Sequence, residues 1–253
     1  MKCLEATLRI SGLCEQFDRS QGEHVTVAVV DSGVDGRHPD LSGADISGVA
    51  VDYSSGRPSI APTEGDVAGH GTACAGLILR VAPRATILSC RVLDRNIKAT
   101  SKSLLAALEW VLRQGSVQVV NLSLGTHNPA YGLEIAKLVD SMYARGVPVV
   151  VARGYGREPD YPAAFGSTVS VAGAHLESEL QLIYRPNEIV AFAAKGHRVQ
   201  VPWLNGTRVV VDGSSFAAPL VAGRLARFKS IRPDLKVWEL KTLLMYQAFA
   251  QAG

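Results

Sequence analysis

The chain has 253 residues, 47% of them hydrophobic, and carries 26 basic and 23 acidic side chains for a net charge of +3. That length and apolar content suit one large α/β unit with a sizeable core and argue against disorder. The near-balanced charge, without a basic cluster or interleaved aromatic and basic residues, speaks against a nucleic-acid partner, and no apolar run approaches the roughly 20 residues needed to span a bilayer.

Residues 1–23 read as a short N-terminal extension. The run MKCLEATLRISGLCEQFDRS has neither the long apolar core nor the small-residue cleavage site of a secretion signal, so a cytoplasmic location is expected. The cysteines are Cys3, Cys14, Cys74 and Cys90. No Cys-x-x-Cys or Cys/His ligand spacing appears, so zinc is not expected, and free thiols are expected over two disulfides.

From Val25 onward, strand-like and helix-like stretches alternate. VTVAVV (25–30) is an apolar, β-branched run that ends at Asp31-Ser32-Gly33. ATILSCRVL (85–93) is the next such run. It is followed by a helix that places Leu104, Leu105, Leu108, Val111 and Leu112 on one face, with Gly115 as its stop. VQVVNLSLG then reads as a strand, Tyr131 to Arg145 as a helix ended by Gly146, and VPVVVA and STVSVAGA as two more buried strands. Apolar strands separated by helices of this length indicate right-handed βαβ units and a parallel sheet. Residues 188–211 read as shorter strands, with antiparallel pairing an open option, and two helices over 214–229 and 236–250 close the chain. With no repeat, low-complexity tract or linker, 1–253 reads as a single domain.

Ligands of open parallel sheets bind beyond the carboxyl ends of the strands. Asp31 stands at such an end. His70 lies in GHGTACAGLIL, where flanking glycines allow a tight turn and close approach of a substrate. Ser215 lies in DGSSFAAPLVAGRLARF at the start of a helix, where the dipole and free N–H groups favour a developing oxyanion. Ser214 is the better candidate for the helix cap. Taken singly, these residues also fit bland roles as a turn carboxylate, a surface imidazole and a cap. Together they offer a nucleophile, a base and a group to orient the base. The other histidines (His24, His38, His127, His175, His197) have no such context.

The segments DSGVDGRHPDL, GHGTACAG and GSSFAAPLVAG resemble the three signature blocks of subtilisin-like serine proteases, in that family's order of Asp, His and Ser. NLSLG, VVVARGYG and YPAAF resemble its substrate-edge and pocket segments. The resemblance implies a three-layer α/β fold with a central, mostly parallel sheet flanked by helices, and a triad of Asp31, His70 and Ser215. It further implies that Ser123, Leu124 and Gly125 pair with extended peptide substrate, and that Ala152, Arg153 and Gly154 wall the pocket for the residue before the cut. Cys74 would pack beneath the triad as a small hydrophobe.

Tyr155 departs from the family pattern, which has an asparagine donating to the oxyanion there. The phenol could donate in its place, Ser215 N–H could act with another donor, or catalysis could be weak. Arg153, Arg157, Glu158 and Asp160 read as solvated loop charges, with selection of an acidic substrate by Arg153 or Arg157 as the sharper alternative. No pro-segment is evident. No acidic loop resembles a calcium cage, so neither a metal nor another cofactor is expected. The expected function is a serine endopeptidase with a peptide or protein substrate, specialised for precursor processing in the cytosol and restrained by specificity, slow chemistry or a regulatory partner protein. A peptide-binding module without activity and a peptide ligase are the alternatives.

Overall fold

The structure is a computed structural model that describes residues 12–53, 57–154 and 160–251. In chain order the elements are β1 (Thr26–Asp31), β2 (Gly33–Val34), β3 (Ile46–Asp52), β4 (Ser59–Pro62), β5 (Gly65–Asp66), α1 (His70–Val81), β6 (Thr86–Arg91), α2 (Ser101–Arg113) and β7 (Val117–Leu122). They continue with α3 (Gly132–Ala144), β8 (Val149–Ala152), β9 (Val169–Ala174), β10 (Leu182–Tyr184), β11 (Phe192–Lys195), β12 (Val199–Pro202), β13 (Arg208–Val211), α4 (Ser214–Ile231) and α5 (Val237–Ala250). Among the described residues no helix is long and apolar enough to cross a membrane.

Nine strands form the central sheet in the order β10-β11-β9-β8-β7-β1-β6-β3-β4. The seven from β11 to β3 run parallel, and an antiparallel strand closes each edge. Because successive side chains alternate between faces, the apolar strands feed two cores. Val27 and Val29 of β1 face α1, α4 and α5, while Ala28 and Val30 face α2 and α3. The fold is therefore the three-layer α/β arrangement with a mostly parallel sheet that the resemblance implies.

The chain leaves β1 and builds β3 and β6 on one side of it, then crosses by α2 to place β7 on the other. That reversal is a topological switch point, where the loops at the strands' carboxyl ends part and leave a crevice. Asp31 ends β1 and Ser123 follows β7 at this edge.

Several expectations needed revision. Gly115 does not end α2: the helix stops at Arg113, and Gln114 is already extended. Gly146, at φ 77°, does end α3 in the left-handed conformation, with its N–H on Tyr143 O. Between 188 and 211, β11 runs parallel to β9 and antiparallel to β10, while β12 and β13 pair antiparallel as a separate hairpin. The sequence carries no clear strand signal at β3, β4 and β10, because most of their residues are half-exposed or exposed, with only Val51 and Leu182 buried. Among the described cysteines, Cys14, Cys74 and Cys90 are free thiols.

Candidate active site

Asp31 is the last residue of β1 and fully buried. His70 is the first residue of α1, and its Nδ1 lies 2.8 Å from Asp31 Oδ1 and 2.9 Å from Oδ2. The carboxylate can only accept, so Nδ1 carries a proton, and in the neutral ring Nε2 keeps its lone pair, directed outward. Ser32 N–H also donates to Asp31 Oδ1 at 2.7 Å. Burial of the ring opposes the imidazolium, but the Asp31 carboxylate outweighs it and holds His70 above the ordinary histidine range.

The glycines around His70 work differently from one another. Gly69 takes φ 90°, which turns the chain into α1. Gly71 makes room for protein rather than substrate: a Cβ there would overlap Gly33 O and lie 3.1 Å from Asp31 Cβ. The close approach of β2 to α1 that joins Asp31 to His70 needs a residue without a side chain.

Asp66, a residue the sequence reading passed over, holds this junction together. Its Oδ1 accepts from Ser32 Oγ (2.7 Å), Ala68 N (2.9 Å) and Gly69 N (2.9 Å), and its Oδ2 accepts from Thr72 N (2.8 Å) and Thr72 Oγ1 (2.7 Å). It thereby supplies the cap of α1 from three residues before the N-cap, Gly69, which has no side chain to do so. Ser32 Oγ in turn accepts from Gly71 N at 3.0 Å.

Ser215 is the second residue of α4, so its N–H is among those with no carbonyl one turn back. Ser214 does not cap the helix as expected; its hydroxyl accepts from Gly173 N at 3.1 Å instead. Pro219, inside α4, has no N–H to reach the Ser215 carbonyl. That carbonyl instead accepts from Ser123 Oγ at 3.2 Å and lies 3.5 Å from Cys74 Sγ. Asn121 Nδ2 donates to Ser123 Oγ at 3.1 Å, which completes a chain from β7 to the head of α4. Ser215 Oγ points back to Ser123 O at 3.4 Å, and among the described residues no hydrogen bond joins it to His70. The ring of Phe216, the next residue, lies 5.3 Å from that of His70 and brings the two elements side by side.

Cys74, one turn along α1 from His70, is buried where these parts meet. Its Sγ lies 3.5 Å from Asp31 Oδ2, 3.9 Å from His70 Nδ1 and 3.5 Å from Ser123 Oγ. Burial, and then the Asp31 charge, push its thiol up to about 11, so it stays protonated. Asp31, His70 and Cys74 are also the one group of three metal-ligating side chains among the described residues. A metal there would have to displace the His70–Asp31 bond and ionise this thiol, and the donor set suits a soft divalent ion rather than calcium.

The expected substrate walls are changed in detail. Ser123 is buried and its side chain serves the internal chain just described. Leu124 packs against the core, and Gly125 is exposed. The side chain of Ala152 is buried in the core. Arg153 is exposed, and its N–H donates to Val171 O at 2.8 Å. Gly154 N–H donates to Asp160 Oδ2 at 2.7 Å, so the charge placed at this wall is a carboxylate and not a guanidinium. Asp160 is accordingly not the solvated loop charge expected. Tyr155, Arg157 and Glu158 lie outside the described residues.

The subtilase family profile matches residues 22–253. Thermitase of Thermoactinomyces vulgaris is 32% identical over 222 residues, which cover 83% of this chain and 76% of thermitase. The minor extracellular protease Epr of Bacillus subtilis (strain 168) is 32% identical over 224 residues, 84% of this chain but 33% of that longer protein. Among solved structures, a cold-adapted subtilisin-like serine proteinase superposes with a TM-score of 0.71 at 25% identity, covering 88% of this chain and 81% of that one. With the carboxylate–imidazole pair at the switch point and a serine heading the facing helix, these likenesses lead to one conclusion: the chain belongs to the subtilase family.

Proposed function

We propose that the protein is a serine endopeptidase in which Ser215 is the nucleophile, His70 the general base and acid, and Asp31 the residue that orients His70. The observation that carries the reading is the buried Asp31–His70 pair, which directs a basic Nε2 away from the carboxylate at the edge where α4 presents Ser215. In the resting arrangement the Ser215 hydroxyl is parked on Ser123 O, and a change of rotamer turns it toward the imidazole. Nε2 then takes the Ser215 proton as Oγ attacks the scissile carbonyl. The tetrahedral oxyanion forms near Ser215 N–H at the positive end of α4. His70 returns the proton to the departing amine, and water, activated the same way, releases the acid from Ser215.

The finer reading is a processing enzyme that cuts a restricted set of peptides or precursors. Resolution of the acyl-enzyme by an amine instead of water would make it a ligase, and the ratio of hydrolysed to ligated peptide measures that directly. A fluorophosphonate probe tests the central assignment. Labelling is expected to vanish in Ser215→Ala and persist in Ser214→Ala. A folded wild type that takes no label from neutral pH up to the alkaline side of the His70 transition would overturn the enzyme in favour of a peptide-binding module.

A further inference from the structure

Resting on the serine-endopeptidase reading, we propose that this site cuts after lysine or arginine. Asp160 would place its carboxylate between the Gly125 and Gly154 backbones, where the side chain before the scissile bond would enter.

Ser123, whose carbonyl holds the Ser215 hydroxyl at 3.4 Å, stands only two residues before Gly125. Two residues span at most about 7 Å, so this wall lies within a long side chain's reach of the nucleophile. Gly154 follows β8 on the other side. The carboxylate bridges both. A Cβ on Gly154 would lie 2.6 Å from Asp160 Oδ2, and one on Gly125 would overlap Oδ1. The position is fixed by more than one contact. Gly154 N–H donates to Oδ2 at 2.7 Å, and the neighbouring Tyr161 forms an antiparallel bridge with Thr126 (Thr126 N to Tyr161 O 2.8 Å; Tyr161 N to Thr126 O 2.9 Å). The two walls and the acid are thus tied into one unit.

Electrostatics then sets the preference. Asp160 is half-buried, and burial pushes its carboxyl up, against the Gly154 hydrogen bond and the influence of His127. An ionised carboxylate in such a place gains from a cation that replaces lost water. Among the described residues no lysine or arginine forms a salt bridge with it. A carboxylate has about four lone-pair sites, so the Gly154 bond leaves acceptor capacity for an ammonium or a guanidinium. An acidic side chain would meet like charge, and an aliphatic one would strip water from the carboxylate without replacing it.

The competing role is a brace that only holds the Gly154 turn. Asp160→Asn separates the two, because the amide oxygen can still accept from Gly154 N–H while the charge is gone. The experiment compares kcat/KM on matched fluorogenic peptides bearing Arg, Lys, Leu, Phe or Glu before the cut, for wild type and Asp160→Asn. Benzamidine binding to the Ser215→Ala protein is measured by calorimetry. Wild type is expected to prefer Arg and Lys over Leu by on the order of 10²-fold, and in Asp160→Asn the ratio should collapse toward one. Benzamidine should bind Ser215→Ala and be lost when Asp160→Asn is added. Equal cutting after Leu and Arg by wild type, or a basic preference that survives Asp160→Asn, overturns the proposal. The wild-type profile decides alone should Asp160→Asn fail to fold. Benzamidine binding without any hydrolysis or fluorophosphonate labelling would sink the enzyme but keep the cation pocket, whereas strong labelling without basic preference would sink the pocket alone.

Discussion

The proton that matters most sits on His70. A buried imidazole facing a buried carboxylate keeps its charge to a higher pH than a free one, because Asp31 stabilises the imidazolium more than burial disfavours it. Only the neutral ring can take a proton from Ser215, so activity should be absent when His70 is charged and appear as pH rises through its raised value. The acid limb of kcat/KM is therefore expected above the usual histidine range near 6.5. Asp31→Asn removes the stabilising charge. The limb should move to lower pH while kcat drops by on the order of 10⁴-fold, since the tautomer is no longer fixed. A pH–rate series on both proteins checks this, and an acid limb unmoved by the substitution would contradict the assignment. At this scale the sequence was informative only where a residue carried a motif with it. Asp31, His70 and Ser215 stood out because each ends or begins an element in a recognisable context. Asp66 and Asp160 did not, since an aspartate after a glycine or a proline fits almost any turn, and only folding shows which donors surround it.

Elements matter here through their ends. α1 begins at His70 without a side chain at its N-cap, and the Asp66 carboxylate fills that role while tying in Ser32. Replacing Asp66 with Ala strands five donors, three on the backbone and two hydroxyls, in a partly buried junction. The expected loss is about 2–4 kcal/mol, read as a lower urea midpoint at unchanged m-value. Asp66→Asn keeps one acceptor and should lose less. α4 shows the converse device. Pro219 withholds a donor, and the freed Ser215 carbonyl becomes the anchor for Ser123. The sequence displayed the proline but not its consequence, because the partner lies 92 residues away. Strand and helix cores were legible from apolar, β-branched runs. Their ends were less so: α2 stops short of its glycine because Gln114 turns extended first.

Across the whole molecule, protection should follow position in the sheet. β1, β7 and β8 are buried on both faces and paired on both sides, whereas β4 and β10 are edges. Hydrogen exchange by mass spectrometry is expected to be slowest in β1, β7 and β8 and to approach the global unfolding limit there. It should be fast in β4, whose four residues are all exposed. Early exchange of β1 ahead of the edges would mean that the site's foundation opens locally. The amino-acid sequence by itself determined the strand and helix periods, the parallel sheet they imply, and the order of three chemically competent side chains, because these depend on residues near one another in the chain. Only the tertiary structure decided that β1 sits at the switch point, that Asp66 and Cys74 bind the parts of the site together, and that Asp160 stands between the two glycines. Those outcomes depend on which distant backbones approach closely enough to share a hydrogen bond or exclude a Cβ, and no local pattern encodes such a distance.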